Sequence, residues 1–252
     1  MDSSLPVRSS HLQPRLWRWV DIALIVLCTV GIILGGTFAL AFLFPPVDPA
    51  TQAPSMAYIS LLTALEVFGI LASVYFFGVR RKNYQIGVLG FLSTSLVWSI
   101  WAAITALIFI PIVGFIALGV QLILGLPLEN PQLDFLVPQD FSVSGAVLMI
   151  ILGGVLVPVA EEVFFRGVLY RFMRQYSGRW LAIIASSLIF GALHGDIAVA
   201  CATFVMGIVL AWFYETSGSL WPSIMIHATN NTIKLILLYT LLALGIQIPP
   251  IA

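Results

Sequence analysis

The chain has 252 residues, 60% of them hydrophobic and 9% charged, with 11 basic and 11 acidic side chains that leave no formal net charge. A soluble domain carries roughly 25% charged residues, so this composition excludes an ordinary water-soluble fold. The charge balance, without any basic tract, excludes a nucleic-acid binder. Several uninterrupted apolar runs near 20 residues or longer predict an all-α, polytopic bundle of transmembrane helices. The short alternating segments of a β-barrel are missing. Cys28 and Cys201 both fall inside apolar runs and read as small buried apolar residues rather than a disulfide or a metal pair.

Residues 1–19 form a polar N-terminal tail with Arg8, Arg15 and Arg18. The run Val20 to Phe44 that follows is too long for the core of a cleaved signal peptide and suits a first span, stopped by Pro45-Pro46. A Pro-rich loop with Asp48 leads to a second span, Met56 to Val79, which holds the lone Glu66 and ends at Arg80-Arg81-Lys82. Phe91 to Gly125 is apolar throughout with Pro111 in its middle, and reads either as one long helix or as two short ones. Val143 to about Phe165 is a fourth span, Trp180 to Leu193 a fifth, and Ile197 to Tyr214 a sixth, the last two joined through His194-Gly195-Asp196. Leu220 opens a seventh that extends towards Ile248 before Pro249-Pro250. The expected organisation is a tail at 1–19, three N-terminal spans with an acidic outer loop at 20–142, and a membrane core at 143–252 that carries the chemistry.

Charge placement sets the count and the orientation, because Lys and Arg collect in short cytoplasmic loops. Ten of the eleven basic residues lie in the tail, in the 80–82 cluster and in the segment with Arg166, Arg171, Arg174 and Arg179. The loop from Leu126 to Ser142 carries only Glu129, Asp134 and Asp140. Treating 91–125 as a single crossing puts all three basic groups on one side and the acidic loop on the other. The expectation is about seven spans with a cytoplasmic N-terminus, and eight if 91–125 is broken.

Few polar groups remain inside the spans: Glu161, Glu162, His194, Asp196, His227, Asn230, Asn231 and Lys234, besides Glu66. An ionisable side chain within a span is costly to insert and is by default a candidate functional group. Glu161 lies five residues before Arg166, about 7.5 Å of helix if that arginine marks the interface, and His227 lies about 10 Å into the last span. These two therefore reach one level, whereas His194, fourteen residues past Trp180, is expected deeper. Phe190 and His194, and His227 and Asn231, are i, i+4 pairs that share a helix face. A carboxylate and a histidine from different helices hold a water and take its proton. A second histidine with an amide one turn on supplies donors for a developing oxyanion. Glu161, His194 and His227 are equally a recognised zinc ligand set. Ser223, one turn before His227, lacks an acid beside it in sequence to orient the histidine of a serine-type triad.

Three motifs in this order, Glu161-Glu162-x-x-x-Arg166, Phe190-x-x-x-His194 and His227-x-x-x-Asn231, within EEVFFRGVLYRF, FGALHGD and SLWPSIMIHATNN, resemble the CPBP family of CAAX-protease and bacteriocin-processing membrane proteins, also called the abortive-infection family. The resemblance covers roughly Gly145 to Leu238. It implies that Glu161 activates a water, that His194 helps to hold and polarise it, and that His227 and Asn231 stabilise the oxyanion. Glu162, Arg166 and Phe190 would support them, the first two as an ion pair. It implies an intramembrane endopeptidase of a prokaryotic inner membrane, open to the cytoplasmic side and acting on a membrane-tethered protein or hydrophobic peptide within the bilayer. No cofactor is expected, with zinc on Glu161, His194 and His227 as the alternative. Two other classes compete: a membrane immunity or scaffold protein that binds a peptide without cutting it, and a transporter, against which the lack of paired halves with interrupted helices counts.

Overall fold

A computed structural model describes residues 16–44, 54–128, 136–138 and 141–246. The expectations for Arg8, Arg15, Asp48, Glu129, Asp134, Asp140 and the stretch from Ile248 to Pro250 lie outside those residues. Seven long helices and no strand are found among the described residues: α1 (Trp19–Leu43), α2 (Met56–Lys82), α3 (Leu96–Leu124), α4 (Val143–Arg174), α5 (Arg179–Ala192), α6 (Ile197–Ser217) and α7 (Leu220–Ala243). All but α5 and α7 are long and apolar enough to cross a membrane. The protein is an integral membrane protein built as a helical bundle. At 14 residues α5 spans only about 21 Å, short of the ~30 Å hydrocarbon core. The 24 residues of α7 are long enough, but its polar stripe lowers its hydropathy.

Polar residues at the loop ends set where helices begin. The side chains of Ser55, Ser142, Asp196 and Ser219 accept hydrogen bonds from the N–H groups of Tyr58, Gly145, Val199 and Trp221, satisfying donors that the first helical turn leaves free. Helices α3 and α6 stop on Gly125 and Gly218, whose φ of 64° and 69° lie in the left-handed region that glycine enters without a Cβ clash. Through Pro111 the third helix runs unbroken, so residues 91–125 make one crossing, not two.

The three basic segments meet at one end of the bundle. Asp21, at the start of α1, bridges Arg81 and Lys82 at 3.0 Å each. Trp17 donates from Nε1 to the carbonyl of Gly78 at 2.9 Å, and Tyr84 donates to that of Leu16 at 2.9 Å. Arg171, near the end of α4, hydrogen-bonds the carbonyl of Val88. Glu215, near the end of α6, takes Tyr170 at 2.6 Å and Arg174 at 3.2 Å. The start of α7 is pinned to the same region, with Ser219 donating to Leu92 at 2.6 Å and the Leu220 N–H donating to Gly90 at 2.8 Å. At the other end Met56, Ile59, Ala146, Met149, Leu235, Leu238 and Tyr239 pack together, joining the starts of α2 and α4 to the far half of α7.

One boundary differs from its expectation in a way that matters for the site. Helix α4 does not stop near Phe165 but continues to Arg174, and Arg166 is 1% exposed rather than an interfacial anchor. A buried arginine is tolerated there because its guanidinium is fully matched, as described next.

Candidate active site

Helix α4 owes its shape to Pro158. A proline inside a helix cannot donate to the carbonyl four residues back, here Gly154, and its ring crowds that turn. The backbone widens into a π-helical turn at Leu152–Leu156, and Thr232 of α7 donates from Oγ1 to the orphaned Gly154 carbonyl at 3.1 Å. Close approach needs the glycine, since a Cβ on Gly154 would stand 2.7 Å from Thr232 Oγ1 and 3.1 Å from its Cα. A second π-helical stretch, Val163–Tyr170, follows the short α segment Val157–Glu162. Such wide turns concentrate at functional sites, and here they bracket the glutamate pair. The Thr232 bond fixes the register of α7 against α4 next to Asn231. Thr232→Val, which keeps the shape and removes the hydroxyl, should cost about 1–2 kcal/mol, readable as a lower thermal midpoint in detergent.

The glutamate pair divides between two environments. Glu162 is fully buried, and its Oε1 accepts from Arg166 Nη1 at 2.8 Å and from His227 Nδ1 at 2.9 Å. Arg166 also donates from Nη2 to the carbonyl of Gly207 on α6 at 3.1 Å, and its guanidinium stacks 4.6 Å from the centre of the Phe190 ring. Glu161 points the other way, with a side chain 15% exposed and Oε2 3.5 Å from His227 Nε2. His227 therefore stands between the two carboxylates, one on each ring nitrogen.

Phe190 holds both histidines. Its ring meets His194 edge to face at 5.0 Å and His227 at 5.7 Å, and its carbonyl accepts from His194 Nδ1 at 2.8 Å. That bond fixes the His194 tautomer with Nε2 unprotonated and free. Asn230 donates from Nδ2 to Asn231 Oδ1 at 3.2 Å, which leaves the Asn231 Nδ2 group free to donate.

One cavity of about 1330 Å³ is lined by Glu161, His194, Asp196, His227, Asn230, Asn231, Lys234 and Glu66 among largely apolar walls. Glu162 and Arg166 stand behind it. Asp196 caps α6 through its bond from the Val199 N–H at 2.9 Å, the structural role expected of a loop residue. Glu66, the lone acid of the second span, has no hydrogen bond or ion pair among the described residues and opens on the cavity. The depth mismatch expected for His194 came from placing Arg166 at the interface. Counted from Arg174, Glu161 lies thirteen residues in, and His194 lies fifteen past Arg179, so both stand about 20 Å from the basic end. His227 is only seven residues into α7, and its contacts with Glu161 and Glu162 put it at their level.

A zinc ion bound by Glu161, His194 and His227 needs three donors converging at about 2.0–2.2 Å. No three His, Cys, Asp or Glu side chains among the described residues form such a group. His227 Nδ1 is committed to Glu162 and His194 Nδ1 to the Phe190 carbonyl, so the Nε2 atoms of the two rings, with Glu161, are the donors that a metal would use. The two links that build the site and that sequence reasoning missed are Glu162 to His227 and Arg166 to Gly207. They join positions 65 and 41 residues apart, and no spacing within one helix signals them.

Comparison with known proteins agrees with the motifs. A family model described as "Type II CAAX prenyl endopeptidase Rce1-like" matches residues 143–233, a stretch that holds all three motifs. A Bacillus subtilis (strain 168) protein described as "Putative membrane peptidase YdiL" is 28% identical over 159 residues, 63% of this chain and 63% of that relative, so the match spans less than two thirds of the relative's length. No solved structure matches the chain. The three motifs in their order, the family model over residues 143–233 and the similarity to this relative all agree with the resemblance to the CPBP family.

Proposed function

We propose that the protein is an intramembrane endopeptidase that hydrolyses a peptide bond by a water activated at Glu161. The observation that carries this reading is the opening of Glu161 from α4, His194 from the turn after α5, and His227 and Asn231 from α7 onto one cavity, with a separate buried carboxylate holding His227 in place. The water lies between Glu161 and His194 Nε2. Glu161 takes a proton from it as its oxygen attacks the scissile carbonyl. Negative charge develops on the carbonyl oxygen, where Asn231 Nδ2 donates. With Nδ1–H given to Glu162, His227 donates to the oxyanion from Nε2 when the ring carries its second proton, a charge that the Glu162 carboxylate balances while Glu161 holds the proton of the water. Collapse of the tetrahedral intermediate returns the proton from Glu161 to the leaving nitrogen. Pre-placed donors of this kind need no reorganisation during the reaction, which is the source of their effect.

The substrate in this proposal is a membrane-tethered protein or hydrophobic peptide. The matching family is described as a CAAX prenyl endopeptidase, which makes a prenylated CAAX peptide the first substrate to try. By the positive-inside rule the end that gathers Arg81, Lys82, Arg171 and Arg174 faces the cytoplasm, and the N-terminus with it. A prokaryotic inner membrane is the proposed location.

The test is cleavage of prenylated, acylated and unlipidated peptides by the purified protein in nanodiscs, with and without a strong chelator. Cleavage unaffected by chelation is the expected result. Loss on chelation that zinc restores would overturn the metal-free mechanism. Binding of a peptide that is never cut would favour a scaffold or immunity role instead.

A further inference from the structure

Lys234 is the one Lys or Arg side chain that lines the cavity, and it carries no hydrogen bond or ion pair among the described residues. It lies fourteen residues into α7, about 21 Å from Leu220, too deep for its stem to reach the basic end of the bundle. A cation at that depth is expensive to insert and is usually matched by a partner. The acids that share the cavity do not serve: Asp196 is held by the α6 N-terminus, and neither Glu66 nor Glu161 pairs with the ammonium group. Among the carboxylates, amides and apolar walls of the cavity, Lys234 is thus an uncommitted cation, the complement of a carboxylate on a guest.

Its position relative to the proposed chemistry is fixed by the helix. Lys234 follows His227 by seven residues and Asn231 by three, on the same cavity-lining face, about 10 Å and 4.5 Å along the axis. An extended peptide advances about 3.3–3.6 Å per residue. Resting on the peptidase reading above, we infer that Lys234 receives a carboxylate of the substrate peptide, two to four residues beyond the bond that is cut. A lysine here sets which bonds are presented to Glu161, because burying a carboxylate beside the ammonium group is favourable only in that register. It is a specificity residue and takes no part in the proton transfers.

The experiment uses full-length protein in nanodiscs and a palmitoylated, dansyl-labelled decapeptide of apolar residues made in three forms. One ends in a free carboxylate, one in an amide, and one in an amide with Asp placed third from the end. Cleavage is followed for wild type, Lys234→Met, Lys234→Gln and Lys234→Arg, and equilibrium binding is measured for the same four forms in a Glu161→Gln background. Wild type should favour the free carboxylate over the amide at least tenfold, through KM and Kd rather than kcat. In Lys234→Met and Lys234→Gln the ratio should fall to about one, and Lys234→Arg should keep most of it. Recovery by the Asp-containing amide identifies a side-chain carboxylate as sufficient, and failure to recover restricts the site to the C-terminus. Equal handling of acid and amide by wild type, a preference that persists without the lysine, or no binding of any form overturns the inference. A Lys234-dependent preference in binding, with no cleavage by wild type, would sink the peptidase reading and leave the carboxylate receptor standing.

Discussion

Glu161→Gln should lower kcat by about 10²–10⁴ while the protein stays folded and still binds its substrate. The magnitude is that of removing a positioned general base. The amide keeps the volume of the carboxylate but cannot take a proton from water, so binding through the rest of the cavity is retained. Stability should change little, because the side chain opens on the cavity and its one close polar contact is His227 Nε2 at 3.5 Å, longer than an ordinary hydrogen bond. The check is a single-turnover cleavage assay beside a thermal melt and a peptide-binding curve on the same preparation. A kcat within tenfold of wild type would remove Glu161 from the role of base. A collapse of the melt would mean that the residue is structural. Asn231→Ala and His227→Ala should follow at about 10²–10³, the loss seen when one oxyanion donor is removed, with His227→Ala also weakening the fold because it leaves Glu162 with one partner fewer.

Most of the architecture was legible in the sequence because membrane helices are written in long apolar runs that need no partner to be recognised. The charge argument for 91–125 succeeded for a related reason. One crossing was the arrangement that gathered the basic segments, and Asp21, Arg81, Arg171 and Glu215 do meet at one end. What could not be read was satisfaction across helices. Arg166 resembled a helix-end anchor because an arginine in an apolar segment is improbable unless matched, and its matches come from Glu162 on its own helix, the Gly207 carbonyl and the Phe190 ring. The π-helical turns of α4 were equally hidden. Pro158 announces a broken hydrogen bond, but that Thr232 would repair it depends on the register of α7. The i, i+4 pairs placed Phe190 with His194 and His227 with Asn231 on shared faces. That Phe190 would stand between two histidines follows from tertiary packing alone.

Arg166→Met should be the most destabilising single change at the site, and Glu162→Leu should come close behind it. Each leaves one charge buried without its partner: Glu162 is fully buried and Arg166 1% exposed. Breaking a buried pair in this way costs about 3–5 kcal/mol, whereas replacing both members by apolar groups of similar size is often near neutral. The double variant Glu162→Leu/Arg166→Met should therefore recover most of the stability that either single change loses, a strongly non-additive result for two residues in direct contact. The recovery would be incomplete, because the Gly207 carbonyl loses its donor in every variant that lacks Arg166. Activity should not recover with it. His227 would keep its place in the fold but lose the acceptor at Nδ1 that leaves Nε2 to serve the cavity, and cleavage should stay about 10²–10³ below wild type, the scale of a misaligned oxyanion donor. Thermal unfolding in detergent and cleavage rates, measured on wild type, both single variants and the double, separate the two effects. Additive stability losses would mean that the pair is not a mutually dependent unit. Activity restored along with stability would mean that Glu162 serves the fold alone, and that His227 is oriented by the Phe190 ring and Glu161 rather than by the carboxylate behind it.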